Sequence, residues 1–365
     1  MCSFLGTTIG SSAFNERMAT ASLTKQLRHT LAVLMEEARD QRRSHHSSEL
    51  LDKLGVRSIV GVDGSLASLW HGLAEFFPGC FTTASLKLHL ATDLVTGTAE
   101  WFDLTAGSIH DSQRFPELEK GKLFIVDLGY WSSGLFREIT AAQGFFLSRV
   151  KANCSVTITE VVSGGFGKAV IGSKLRELEI RRQRGQAVEL LGEIRSKKKT
   201  LQVRVLGFWH KEERCYRWYI TNLDAPKRVI AKLYRLRWQI EISFKSMKSC
   251  FNFDRSPTLS PNATVSLALV AICQYVMSTI LRRESSRVVR VGQKKKIQTL
   301  SILRSAKLLR AFATDIYQTL RREFRISSKK AAALDRELLS AIRGYLDPNV
   351  AHRLNSAQMV FVEIG

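Results

Sequence analysis

The stretch Tyr234–Lys248, YRLRWQIEISFKSMK, holds neither Pro nor Gly and is rich in the long side chains that helices accept. At about 100° per residue, Tyr234, Arg237, Glu241 and Lys248 fall within about 60° of one another on a helix. Leu236, Ile240 and Met247 gather on an adjacent face, with Phe244 between the two stripes. The spacing therefore predicts one helix laid against a sheet. A carboxylate placed among two cations and a phenol suits a metal-assisted phosphodiester site. Glu241 would hold a cation there, while Tyr234, Arg237 and Lys248 would hold phosphate oxygens. Taken alone, the pattern equally fits a surface helix whose Arg237–Glu241 pair is worth a few tenths of a kcal/mol. Acids elsewhere in the chain have to decide.

Upstream, Arg57–Asp63 (RSIVGVD) reads as a short apolar strand ending in a carboxylate. Thr83–Asp93 alternates like a half-buried strand, and Ala99–Thr105 offers a third, so a meander with short turns is expected. Asp111–Leu118 resembles a helix start with Asp111 as N-cap. Leu123–Asp127 (LFIVD) is a continuous apolar run, as in a strand buried on both faces. A helix near Ser133–Ala142 and a strand at Phe145–Val150 follow. This element order is that of a ribonuclease-H-like α/β core, a mixed five-stranded sheet with flanking helices. In that fold the carboxylates on the first and fourth strands end side by side.

The flanks divide the chain further. Residues 1–55 form a short helical segment: 1–20 is expected to be poorly ordered, and helices follow from Ala21 to about Leu54, interrupted at Arg39–His46. Residues 56–281 form the core, with a mostly β insertion at about 151–222. That insertion has strands at Ser155–Val162, Leu201–Trp209 and Arg217–Thr221 around a basic helical stretch, Lys174–Lys199. Ala263–Leu281 is apolar enough to raise the question of a membrane span; Gln274 and its Ser and Thr residues favour a buried core helix. Residues 282–365 form a basic helical region, with helices at Leu300–Leu309 and Ala331–Leu346.

With 55 Lys and Arg against 33 Asp and Glu, the 365-residue chain carries a net charge of +22. Its hydrophobic content of 45% excludes a disordered polycation. A core of that size with such an excess points to a polyanionic partner, nucleic acid before membrane. The six cysteines are scattered, without metal-finger or disulfide-framework spacing, which fits a reducing cytosol. No basic-then-apolar signal opens the sequence, and a cytoplasmic, nucleoid-associated protein is expected.

Asp63, Asp127 and Glu241 are the acids that follow apolar strands or edge the amphipathic helix; Asp93, Asp103 and Asp111 compete with them. Asp63 and Asp127 are preferred because each follows an apolar run directly and is followed within two residues by Gly. Three converging carboxylates repel one another unless cations intervene. Two Mg²⁺ ions about 3.5–4 Å apart would relieve that repulsion, with Mn²⁺ able to substitute.

In these residues the chain resembles a bacterial insertion-sequence transposase of the DDE type, specifically the IS-four family. That family carries Y-x2-R-x3-E-x6-K on the helix of its third acid. Tyr234, Arg237, Glu241 and Lys248 match every spacing. Asp127-Leu-Gly-Tyr-Trp131 is similar to the second-acid motif, with Leu128 in place of the usual Arg; Val62-Asp63-Gly64-Ser65 is similar to the first. His110-Asp111 is similar to a recurrent His-Asp pair ahead of the second acid. The resemblance implies that Asp63, Asp127 and Glu241 bind the metals and that Tyr234, Arg237 and Lys248 grip the phosphates of a transposon end. It also implies double-stranded DNA partners, both transposon ends and target, and a homodimer on DNA. Strand transfer would follow cleavage, in some relatives through a hairpin. Trp131, Trp209, Trp218 and Trp238 are candidates for stacking on a flipped base, with core packing as the alternative. The segment ahead of Asp63 is shorter than the N-terminal recognition region of many relatives, so weak recognition of the ends is expected. The rival readings are an inactive transposase-derived DNA-binding protein or repressor, and a plain nuclease without strand transfer.

Overall fold

The computed structural model describes residues 11–39, 45–151, 154–178, 187–196, 199–213, 215–292 and 300–322. It opens with three helices, α1 (Ser11–Met18), α2 (Ala21–Arg39) and α3 (His45–Leu54), so part of the segment expected to be poorly ordered is helical. The strands β1 (Ser58–Ser68), β2 (Ser85–Asp93), β3 (Ala99–Ala106) and β4 (Lys122–Val126) come next. After them lie α4 (Ser133–Ala141) and β5 (Phe145–Arg149). Four more strands follow: β6 (Val156–Ser163), β7 (Val188–Ser196), β8 (Lys199–His210) and β9 (Cys215–Thr221). The helices α5 (Lys227–Arg235), α6 (Trp238–Phe251), α7 (Pro261–Gly292) and α8 (Ile302–Arg322) complete the described chain.

All nine strands join one mixed sheet in the order β3-β2-β1-β4-β5-β9-β8-β7-β6. β1 and β4 run parallel, as do β4 and β5; every other pair is antiparallel. The protein is thus a mixed α/β fold with one large sheet and helices on both faces. On one face, Leu86, Leu88 and Leu90 of β2 pack with Ile240 and Met247 of α6 and with Leu269, Ile272 and Tyr275 of α7. That apolar layer continues where α3 and α5 cover Ile59, Leu123 and Ile125. On the other face, Val60, Val62, Phe124 and Val126 pack with Phe136 and Ile139 of α4 and with strands β6–β9.

Several sequence readings need correction. β1 extends five residues past Asp63, because β2 goes on pairing with it to Ser68 after β4 has ended. The connection from β1 to β2 spans residues 69–84 and is no short turn. β2 is buried at all nine positions, so its alternation does not mark a solvated face. Between β3 and β4 there is only a 3-10 turn, Asp111–Gln113, capped by the His110 side chain rather than by Asp111. Within Lys174–Lys199 the described residues hold a 3-10 turn, Leu175–Glu177, and strand β7 in place of a helix. Val188, Leu190 and Ile194 point alternate side chains inward against β8, and that cross-strand burial outweighs the helix-forming Glu and Leu between them. Ala331–Leu346 lies outside the described residues.

α7 is long and apolar enough, by length and composition, to cross a membrane. Here it packs against α2, α6 and α8, with Leu269, Ile272, Tyr275 and Val276 fully buried.

Candidate active site

The predicted single helix 234–248 is two helices. At the joint, the amides of Leu236, Arg237, Gln239 and Ile240 each bond the carbonyl three residues back, at 2.9–3.1 Å. Such tighter bonding advances the chain faster per turn than α-helical bonding does. α5 buries Val229, Ile230 and Leu233 with β4 and β5, whereas α6 buries Ile240, Phe244 and Met247 beneath β2. The joint lets each half present its own apolar stripe to its own part of the sheet, and Arg237 stands at the bend.

Asp63 and Asp127 come together by strand register. Val62 pairs with Val126 in the parallel β1–β4 ladder, so the next residue on each strand is an acid. Beyond that pair β4 has ended and Asp127 opens a 3-10 turn, Leu128–Tyr130. The Asp63 carboxylate accepts the Gly64 amide at 2.8 Å through Oδ1 and Arg237 Nη1 at 3.3 Å through Oδ2. Arg237 Nη2 reaches Glu241 Oε1 at 2.6 Å. One guanidinium therefore bridges the first acid, on a strand, and the third, on a helix. Its side chain is 18% exposed, against 20% for Asp63 and 32% for Glu241. Tyr234 Oη stands 3.5 Å from Asp127 Oδ1, and the Arg237 guanidinium lies 5.9 Å over the Tyr234 ring. Lys248 Nζ donates to the Leu66 carbonyl at 2.9 Å, two turns along α6 from Glu241.

Burial pushes the Asp63 carboxyl up to about 6, and the charges of Asp127 and Asp111 add to the rise while Gly64 and Arg237 oppose it. Arg237 is held above its ordinary value: the surrounding charges of Asp127, Tyr234, Asp63 and Glu241 outweigh the loss of solvent. The Tyr234 phenol is raised, chiefly by burial and then by Asp127. The cluster holds more negative charge than Arg237 alone offsets.

Asp63, Asp127 and Glu241 are hard oxygen donors of the kind Mg²⁺ prefers, gathered where the sheet's parallel pairing ends. Among the described residues no three His, Cys, Asp or Glu side chains already converge on one ion. The Arg237 guanidinium stands between two of the acids. The donor set fits divalent cations chemically, and to share one ion the carboxylates have to exchange Arg237 for it.

The opposite face of β1 and β2 carries residues that sequence reading passed over. Lys87 Nζ bonds Asp111 Oδ1 at 3.0 Å and the Ile109 carbonyl at 2.6 Å. His89 bonds Tyr130 Oη at 2.8 Å through Nδ1 and Thr105 Oγ1 at 3.0 Å through Nε2. Burial lowers His89 to about 4. The available signal was the polar series Ser85, Lys87, His89 on a strand otherwise Leu-rich, which reads as a wet face until another layer covers it. Of the tryptophans, Trp131 packs edge-on against Phe136, and Trp209 and Trp218 flank Tyr216 on β8 and β9. Trp238 instead is 62% exposed at the first turn of α6, so core packing does not account for it.

A family model described as "Transposase DDE domain" matches residues 62–277. The transposase for insertion sequence element IS231F of Bacillus thuringiensis subsp. israelensis is 25% identical over 298 residues, covering 70% of this chain and 62% of that protein. The transposase for insertion sequence element IS1151 of Clostridium perfringens is 21% identical over 359 residues, covering 80% of this chain and 76% of that protein. The chain thus spans about three-fifths of the first relative's length. Among solved structures, a piggyBac transposase synaptic complex with hairpin DNA aligns over 80% of this chain and 59% of that one, with 12% identity and a TM-score of 0.44.

Proposed function

Because the chain belongs to the transposase DDE-domain family, we propose that it is a DNA transposase that cuts at transposon ends and transfers the freed 3′-hydroxyl into target DNA. The observation that carries this reading is the Arg237 bridge from Asp63 to Glu241, beside Asp127 and Tyr234. Acids far apart in the chain meet on one face, together with the cationic members of the same helix motif. β1–β5, in the order β3-β2-β1-β4-β5 with only β2 antiparallel to its neighbours, support a ribonuclease-H-like core, with β6–β9 as its insertion. Residues 1–55 and 282–365 would flank that core.

Asp63, Asp127 and Glu241 would hold two Mg²⁺ ions, which Mn²⁺ could replace. When bound, the ions supply the positive charge that lets a water or a 3′-hydroxyl give up its proton and that offsets charge on the departing 3′-oxygen. With the carboxylates holding ions, Arg237 would be released from Asp63 and Glu241. Its planar fork can then take two oxygens of a terminal phosphate, the geometry for which guanidinium is suited. Tyr234 holds Arg237 in place by the ring beneath it, and Lys248 sits two turns along the same helix face from Glu241, next to the backbone of β1. The net charge of +22 favours double-stranded DNA, and two ends would be paired by a homodimer formed on that DNA. Such a protein works in the cytoplasm, on the nucleoid.

The test is incubation with DNA carrying the element's own flanking repeats, with and without Mg²⁺. Cleavage is expected only with the ion, and Asp63→Ala, Asp127→Ala and Glu241→Ala are each expected to bind DNA without cutting it. Cleavage surviving in Glu241→Ala removes that residue as a ligand. Binding without cleavage by the unaltered chain supports the inactive, DNA-binding reading instead.

A further inference from the structure

Behind the site, a fourth acid meets both glycines that follow the preferred carboxylates. A Cβ on Gly64 would lie 3.2 Å from Asp111 Oδ1 and 3.5 Å from Tyr130 Oη. A Cβ on Gly129 would lie 2.6 Å from Asp111 Oδ2, closer than real Cβ atoms come. Successive side chains on a strand point to opposite faces. Asp111, met from the Cβ direction of Gly64, therefore lies on the reverse side of β1 from the Asp63 side chain. Its carboxylate is not free to turn, because Lys87, itself 9% exposed, holds Oδ1 at 3.0 Å. Lys87 also holds the Ile109 carbonyl two residues upstream, so the ammonium ties the whole 109–111 segment to β2.

We infer that Asp111 is a positioning residue, a wedge locked by Lys87 against Gly64 and Gly129 that sets the backbone from which Asp63 and Asp127 project. This rests on the proposed metal-dependent cleavage, and it gives Asp111 a role distinct from ligation. The same contact disfavours a side chain at position 64 and forbids one at 129 unless the wedge moves. The wedge also gives a role to a partly buried Lys–Asp pair, in which buried Lys87 resists removal of its partner.

Two measurements test it. In the first, unfolding of Gly129→Ala, Asp111→Ala and the double variant is compared. Gly129→Ala is expected to destabilise the protein clearly, and to do so far less once Asp111→Ala has vacated the space; strictly additive effects overturn the wedge. This cycle needs no activity, so it stands or falls independently of the transposase reading. The second measurement uses Asp111→Asn, which keeps the shape and an oxygen for Lys87. Its cleavage and its Mn²⁺-induced rise in Tm are expected to stay close to those of the unaltered chain, with Asp111→Ala losing about tenfold or more in apparent Mn²⁺ affinity. Loss in Asp111→Asn as complete as in Asp63→Asn would make Asp111 a ligand and overturn the inference. If the unaltered chain does not cleave, the proposed function fails while the unfolding cycle still judges the wedge.

Discussion

The two faces of β1 and β2 at the site are built in opposite ways. On the face toward α6, Asp63, Arg237 and Glu241 are ionic, partly exposed and under-neutralised, with burial holding Asp63 up to about 6. On the reverse face, Lys87–Asp111 and Thr105–His89–Tyr130 form closed, hydrogen-bonded sets. Burial there drives His89 down to about 4 and keeps it neutral. The difference teaches a division of labour. The front face leaves Asp63, Asp127 and Glu241 under-neutralised, the deficit that the proposed divalent cations and phosphate would complete. The rear face pairs Lys87 with Asp111 and His89 with Tyr130 and Thr105, and these bonds tie the loops to β2.

The largest expected contrast between the faces is in pH dependence of the metal-free protein. Between about pH 3.8 and 6, folded Asp63 holds a proton that the unfolded chain releases, so its contribution is fully present below 3.8 and lost as pH rises through about 6. His89 has the opposite sign: its contribution is present above 6.5 and lost as pH falls through about 4. Asp63→Asn should therefore stabilise the protein by about 3 kcal/mol at pH 7, with the advantage gone below pH 4. Urea unfolding across that range checks it, and an advantage that grows on acidification would reverse the account of the front face.

Arg237→Ala should come next, destabilising the metal-free chain by about 2 kcal/mol near pH 7, because Asp63 and Glu241 lose their shared cation. Added Mn²⁺ should recover much of that loss, which can be followed as the rise in Tm. Equal losses with and without Mn²⁺ would mean that cation and guanidinium do not share a place. On the rear face, Tyr130→Phe leaves a nitrogen of His89 without its partner and should cost about 1–2 kcal/mol, with no change on adding Mn²⁺. A Mn²⁺-dependent effect there would blur the distinction between the faces. The smallest effect is expected at the solvent edge: Trp238→Ala should change stability by less than about 0.5 kcal/mol. If its ring instead meets DNA bases, the same variant weakens binding of single-stranded flanks in a fluorescence titration.

The front face was largely legible in the sequence. Tyr234, Arg237, Glu241 and Lys248 share one side of a short amphipathic segment, and Asp63 and Asp127 each follow an apolar run. Local periodicity and strand-end position suffice to nominate such residues. The rear face was not legible. Lys87 and His89 sit in an alternating strand whose polar side reads as solvated. Only the turns at 107–113 and 128–130, folding back over β2, bury that side. Asp111 likewise reads as a helix cap from its neighbours in sequence, which do not disclose Lys87 on β2.

From sequence alone came the charge, the apolar strands, the amphipathic segment 234–248 and the set of acids and cations that could act together, because each depends on residues a few positions apart. Tertiary structure alone decided that Val62 pairs with Val126, so that two acids emerge side by side, and that the helix breaks at Arg237. It alone turned β2 into a strand buried on both faces. Those outcomes depend on which surfaces compete for burial across the whole chain, and the winning packing sets where every polar group must find its partner.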